Sequence, residues 1–258
     1  MKNLVLRAML CLIFVPVASW YTVAQSVQPT TQDPDFILKE CIKNHGGEEK
    51  FSKIQDVYAK MDARTITDKG DIESVFYEYY RKPDKLRIEI HPLVDPPTKI
   101  GWDGQNAWQM SKDKLEQSQD QKLVDRLQES LKFVRLMMLT SLLEKGSALA
   151  YENYIPKSTS GIHVISQTAV HNEKIKLFIR DKDFVLLGAE FYWDSATTLL
   201  RLTFAQHRWY DGLYLPLVTK VYKENQLVME VKLKTAQVNA IKNGNSFFKE
   251  LTEKAQIK

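Results

Sequence analysis

Apolar and polar residues alternate along much of this chain, and where the period is two the pattern predicts strands. "VYAKMDARTIT", residues 57–67, sets Val57, Ala59, Met61 and Ala63 against Tyr58, Lys60, Asp62 and Arg64. "DKGD" then supplies a turn before "IESVFYEYYR", so the two runs read as a hairpin. "PDKLRIEI" continues the pattern, with Leu86, Ile88 and Ile90 on one face and Arg87, Glu89 and His91 on the other. From Gly161 to Ala240 the strand runs are "IHVISQTAV", "KIKLFIRD", "FVLLGAEFYWD", "TLLRLTFAQHRWY", "LYLPLVTKVYKE" and "QLVMEVKLKTAQVNAI". Their turns, "DKD", "DSAT", "YDG" and "KEN", are short enough to join antiparallel neighbours.

The total approaches about eleven strands, more than a strongly twisted sheet carries flat. The fold class expected is therefore mainly β, a single curled antiparallel sheet forming an incomplete β-barrel, with an N-terminal helix and a helical lid or plug. A curled sheet has an inside. Ile175, Leu177 and Ile179, then Val185, Leu187, Ala189, Phe191 and Trp193, are the residues that alternation points toward it.

Two stretches carry a helical period instead. "DPDFILKECIKNHGGEEKFSKI" places Phe36, Ile37, Cys41 and Ile42 at helical spacing, with Gly46 and Gly47 as a stop. In "QDQKLVDRLQESLKFVRLMMLTSLLEKG", Leu123, Leu127, Leu131, Val134 and Met138 form a stripe, and the second half is apolar nearly all round. Two readings stand for it. It is either a core helix against the sheet or a plug that fills a hydrophobic concavity and gives way to an apolar ligand, with Met137 and Met138 as adaptable contacts.

Between "YRKPDKLRIEI" and that helix lies "KIGWDGQNAW", where Asp103 stands among two tryptophans. A carboxylate there fits a catalytic acid with a raised pKa, but Asp-Gly between two apolar-flanked runs is also a strong hairpin signal. Turn chemistry favours the bend.

The opening "MKNLVLRAMLCLIFVPVAS" has Lys2 and Arg7, then an apolar run from Ala8 to Ala18 and small residues, the layout of a secretory signal. The run is shorter than the ~20 residues a membrane-spanning helix needs. Cleavage after Ala24 divides the chain into a signal (1–24), a polar leader (25–34) and one domain (35–258). Losing Lys2 and Arg7, and no acid, lowers the formal net charge from +4 to +2. Basic and acidic residues alternate along every element, which argues against nucleic acid as a partner. Cys41, alone in the mature chain, reads as a small buried apolar residue.

Candidate chemistry is sparse. His45, His91, His163, His171 and His207 are scattered, with no zinc-helix spacing, so neither a metal nor any other cofactor is expected. No serine elbow or phosphate-binding glycine loop occurs. Asp181 and Asp183 in "RDKDF" read as solvated turn residues, with a catalytic pair as the alternative. Glu73, Glu78 and Glu190 lie on strands and could enter a cavity, but nothing in the spacing pairs them.

The order of helix, hairpin, "YRKPDKLRIEI", "GWDGQNAWQM", apolar helix and a meander containing "DGLYLPLVTKVY" resembles the periplasmic outer-membrane lipoprotein carrier (LolA-like) family over residues 35–248. "HGGEEKFSKI" is also similar to the start of bacterial members read as carriers of unknown cargo. The resemblance implies an incomplete barrel with a helical lid, whose interior receives the acyl chains of lipoproteins or other lipids. It also implies a monomeric periplasmic protein, not an enzyme, working between an inner-membrane donor and an outer-membrane acceptor. Carried over residue by residue, the cavity role falls on Leu86, Ile88, Ile90, Trp102 and Trp108. Lys82 occupies the position where the family's best-known carrier ties down its lid with an arginine, and a lysine lacks that planar fork of donors. With Met137, Met138, Leu177, Ile179, Phe191 and Trp193 these make the expected lipid-binding set. A lipid-sensing regulatory domain of the same fold, and a structural β-protein whose core is self-filled, are the alternatives.

Overall fold

The structure, a computed structural model, describes residues 29–111, 114–118, 121–137, 148–168, 174–193 and 198–241. Helix α1 (Pro34–Asn44) begins where Asp33 caps it, its carboxylate accepting from the amides of Asp35 and Phe36. Pro34 fills the first turn, where a missing amide costs nothing. The helix stops at the glycine pair as expected. Gly46 and Gly47 hold φ of 135° and 84°, and a Cβ on Gly46 would lie 2.8 Å from the Gly212 carbonyl oxygen. A short helix the sequence did not announce, α2 (Glu48–Lys53), follows at once, with acids in its first turn and lysines in its last.

Strands β1 (Asp56–Thr67), β2 (Gly70–Arg81), β3 (Lys85–Pro92), β4 (Thr98–Trp102), β5 (Ala107–Ser111) and β6 (Lys114–Ser118) form a first meander, and α3 (Gln121–Met137) follows it. The chain continues through β7 (Ala148–Ile155), β8 (Ile162–Thr168), β9 (Lys174–Arg180), β10 (Leu186–Trp193), β11 (Thr198–Ala205), β12 (Arg208–Tyr210), β13 (Leu213–Leu215), β14 (Val218–Lys223) and β15 (Gln226–Val238). Among the described residues, thirteen strands make one sheet in the order β6-β5-β4-β3-β2-β1-β15-β14-β11-β10-β9-β8-β7, with β12 and β13 as a separate ribbon. Strand β15 unites the two meanders by pairing antiparallel with β1 on one side and β14 on the other. The sheet is not closed into a barrel: β6 and β7 remain its two edges.

Several strands depart from the expected ones for local reasons. "TLLRLTFAQHRWY" divides into β11 and β12 at Gln206, whose φ is 54°, and "LYLPLVTKVYKE" divides into β13 and β14 around Pro216. The edge strands β6 and β7 had no clear alternation to reveal them. "KLEQS" has one apolar residue, and β7 carries a register shift between Tyr151 and Asn153 that breaks its period.

The helices lie against this sheet. Leu123, Leu127, Leu131, Val134 and Leu136 of α3 join one core cluster with Leu86, Ile88 and Ala107, and α3 contacts β3, β4 and β5. Burial of each such side chain contributes about 1.5–3 kcal/mol. Helix α1 buries Ile37, Leu38, Cys41 and Ile42 in the same cluster and reaches β7. Its end is fastened by His45, which is fully buried. The Leu186 amide donates to His45 Nε2 at 3.1 Å while Nδ1 donates to the Tyr214 carbonyl, so one neutral imidazole bridges α1 to β10 and β13. Burial, offset in part by that bond to Tyr214 and by the charge of Asp183, keeps its pKa below the usual histidine value.

Candidate functional site

The inner face of the sheet is built by cross-strand rows, since directly opposed residues of an antiparallel pair share a face. In the first meander Tyr80, Leu86, Trp102 and Ala107 make one row, Ala59, Glu78, Ile88 and Ile100 the next, and Met61, Phe76 and Ile90 a third. In the second, Ile165, Leu177, Ala189, Leu202 and Val221 stand opposite one another, with Ile175, Phe191 and Leu200 beside them. Leu86, Ile88, Leu177, Ile179 and Phe191 are all buried members of the core cluster. Ile90, Trp102, Phe76 and Ile100 pack against it while half-buried.

One expected member of the site, Trp108, sits on the other face of the sheet. Trp108 pairs with Gly101, which pairs with Arg87, so it occupies the face opposite Leu86 and Ile88. It is fully buried there and absent from the core cluster, its indole lying over Gly101, where an added Cβ would come within 2.1 Å of Cζ2. The alternation read from Trp102 to Trp108 changes face because the intervening loop has four residues. Met137 and Trp193 end α3 and β10, and Met138 lies outside the described residues.

Lys82 is placed at the rim rather than among the apolar rows. Its Nζ donates to the Phe51 carbonyl of α2 at 3.1 Å. Burial, and secondarily the positive charge of Arg135 on α3, lower its pKa. Toward α3 the lysine therefore presents a like charge.

A bulge corrects another expected lining residue. The β9–β10 register shifts between Leu186 and Gly188, and the extra residue sends Leu186, not Leu187, to the inner face alongside Ala189 and Phe191. Gly188 allows the strands to close there, since a Cβ would lie 2.4 Å from the Leu202 carbonyl oxygen.

Asp103 is a bend residue. Its Oδ1 accepts from the amides of Gln105 and Asn106 at 2.9 and 2.7 Å, and Gly104 follows at φ 100°. The solvated-turn reading of Asp181, by contrast, is overturned. Asp181 is buried and accepts from Thr30 Oγ1 (2.6 Å), His163 Nε2 (2.7 Å) and the Tyr154 hydroxyl (3.1 Å). Asp183 does remain partly exposed and holds Arg180 through both oxygens. The aspartates thus serve separate networks. Among the described residues, no group of three His, Cys, Asp or Glu side chains could hold a metal ion.

Sequence reasoning left one inner-face residue without a role, Glu78. It is 6% exposed, its Oε2 has no hydrogen-bond partner among the described residues, and burial raises its pKa to about 7. The alternation of β2 already carried the signal, because Glu78 is in phase with Phe76 and Tyr80.

An open, strongly curled antiparallel sheet of two meanders, with helices against its apolar face, is a LolA-like fold. Solved structures that share it include a DUF1329 family protein from Desulfovibrio piger, with a TM-score of 0.57, 11% identity, and coverage of 84% of this chain and 98% of that one. A LolA superfamily protein from Nitrosomonas europaea matches with a TM-score of 0.56, 12% identity, and coverage of 83% and 96%. A domain described as an outer membrane lipoprotein-sorting protein, from Vibrio parahaemolyticus, matches at 0.51, 11% identity, and coverage of 85% and 99%. Identities this low carry the fold and no residue roles. In sequence, no family model and no curated protein matches the chain.

Proposed function

We propose that this protein is a non-enzymatic periplasmic carrier that shelters acyl chains of lipoproteins or other lipids on its apolar inner face, for transfer toward the outer membrane. The observation that carries this reading is the set of largely apolar rows on the inner faces of both meanders, with α3 laid over β3–β5, in a LolA-like fold. Each methylene taken from water contributes about 0.8 kcal/mol, so a long acyl chain binds with useful affinity without polar readout. Part of that gain is offset because the helix must give up its own contacts.

The mechanism is exchange. Helix α3 covers the inner face when the protein is empty, leaves on loading and returns on delivery, with half-buried Phe76, Ile90, Ile100 and Trp102 as the entry side. An inner-membrane donor and an outer-membrane acceptor complete the route, and the signal at 1–24 delivers the chain to the periplasm. A second reading, a self-filled core, draws on the full burial of Leu86, Leu177 and Ile179. Native mass spectrometry of the purified mature protein separates the two: co-purifying lipid is the outcome expected of the carrier, and a lipid-free protein that also fails to take up added phospholipid is the outcome of the solid core.

A further inference from the structure

Glu78 is a buried carboxylate in the middle of the apolar rows of the first meander. Its cross-strand neighbours are Ala59 and Ile88, and Phe76 and Tyr80 flank it along β2. The charged groups of the surrounding strands, Lys60, Arg87 and Glu89, alternate onto the opposite face. On α3, Lys132 is paired with Glu129, and the charge of Arg135 acts on Lys82. Burial is the cause that raises the Glu78 pKa. A carboxyl in such surroundings sheds its charge by keeping its proton, which leaves it one O–H to donate. Among the described residues, no acceptor for that donor meets Glu78 Oε2.

Resting on the carrier reading, we propose that Glu78 is the polar anchor of the site: its carboxyl donates a hydrogen bond to the carbonyl oxygen of an ester- or amide-linked acyl chain, selecting such chains over free fatty acids, alkylamines and plain hydrocarbon. An alkylamine brings an ion to be stripped of water and could form an ion pair only by ionising the buried carboxyl as well, and the attraction of a buried pair seldom exceeds those costs by much. A fatty acid at neutral pH brings a carboxylate whose charge must itself be stripped of water in the apolar site. A hydrocarbon leaves the carboxyl as unsatisfied as before. A linked acyl carbonyl alone supplies an acceptor without a charge.

The test uses the mature protein loaded with the fluorescent apolar probe N-phenyl-1-naphthylamine, displaced by monoolein, oleic acid, oleylamine or 1-octadecene. At pH 6 monoolein should displace the probe at about fivefold lower concentration than each of the others, the size of one net hydrogen bond. Glu78→Leu should bring the four ligands level while still binding the probe. Glu78→Gln, which keeps a donor, should retain the preference and hold it to pH 9, whereas the wild type loses it above neutrality. Equal affinities in the wild type, tightest binding of oleylamine, or an undiminished ester preference in Glu78→Leu would each overturn the anchor role while leaving the carrier reading intact. A wild type that binds neither probe nor any lipid overturns both. If Glu78→Leu fails to fold, the pH dependence of wild type against Glu78→Gln decides alone: parallel profiles reject the proposal.

Discussion

His163 Nε2 lies 2.7 Å from Asp181 Oδ1, and both residues are buried. Because Asp181 also accepts from Thr30 and Tyr154, this pair fastens the segment before α1 to strands β7, β8 and β9. Asp181→Ala leaves these donors buried without an acceptor, and a loss of about 2–4 kcal/mol is expected in urea denaturation. Burial by itself would raise the Asp181 pKa, but the hydrogen bonds from Thr30, His163 and Tyr154 prevail and hold it below the ordinary aspartate value. Its stabilisation is thus present above the unfolded pKa and is lost as pH falls below about 4. Asp181→Asn should flatten that acid limb, and an unchanged limb would remove Asp181 as its source.

A second acid-sensitive group sits beside His45, at the C-terminal end of α1. Burial first, and the neighbouring His45 second, push the His207 pKa down to about 4. Between about 6.5 and 4 the unfolded chain binds a proton that the folded one does not, so stability falls as pH is lowered through that window. His207→Phe should lessen the loss of melting temperature between pH 7 and pH 5 by roughly 3–5 °C. Equal losses in both proteins would show that His207 titrates normally.

Glu78 runs the opposite way. With its pKa raised from 4.5 to about 7, the unfolded chain ionises first, and stability declines as pH rises through that interval. Above neutrality the deficit is about 3 kcal/mol for a group this deeply buried. Glu78→Gln, always neutral, should therefore be the more stable protein at pH 8 and lose that advantage near pH 4. Denaturant midpoints at the two pH values provide the measurement, and a constant difference between the proteins is the adverse result.

Trp108 gives a check on which face is which. Gly101→Val would thrust a side chain into its indole, and overpacking of this kind costs about 1–3 kcal/mol. Its tryptophan emission should shift to the red as the ring is displaced toward water. Ile90→Lys, on the half-buried entry side, should instead leave the fold intact by circular dichroism and lower lipid retention about tenfold or more, as losing a few buried methylenes implies. Full retention in Ile90→Lys would remove Ile90 from the lipid's path.

Alternation in residues 57–90 and 162–238 was enough to announce most of the strands, the antiparallel pairing of most consecutive ones and an inner face containing Leu86, Ile88, Leu177 and Phe191, because side chains of one strand take sides with a fixed period. The Asp103 turn and the glycine stop of α1 were equally legible, being settled within a few residues. What lay beyond reach were the exact length of one hairpin loop, a bulge, and a contact between distant parts of the chain. The loop between β4 and β5 turned Trp108 to the far side, the bulge at β10 exchanged Leu187 for Leu186, and Asp181 became buried by meeting Thr30, 151 positions away. Glu78 shows the division in one residue. Its phase along β2 is written locally, whereas the lack of a partner for its Oε2 among the described residues follows from which neighbours the sheet and helices bring to it, and pairwise contacts across the fold leave no trace in local periodicity.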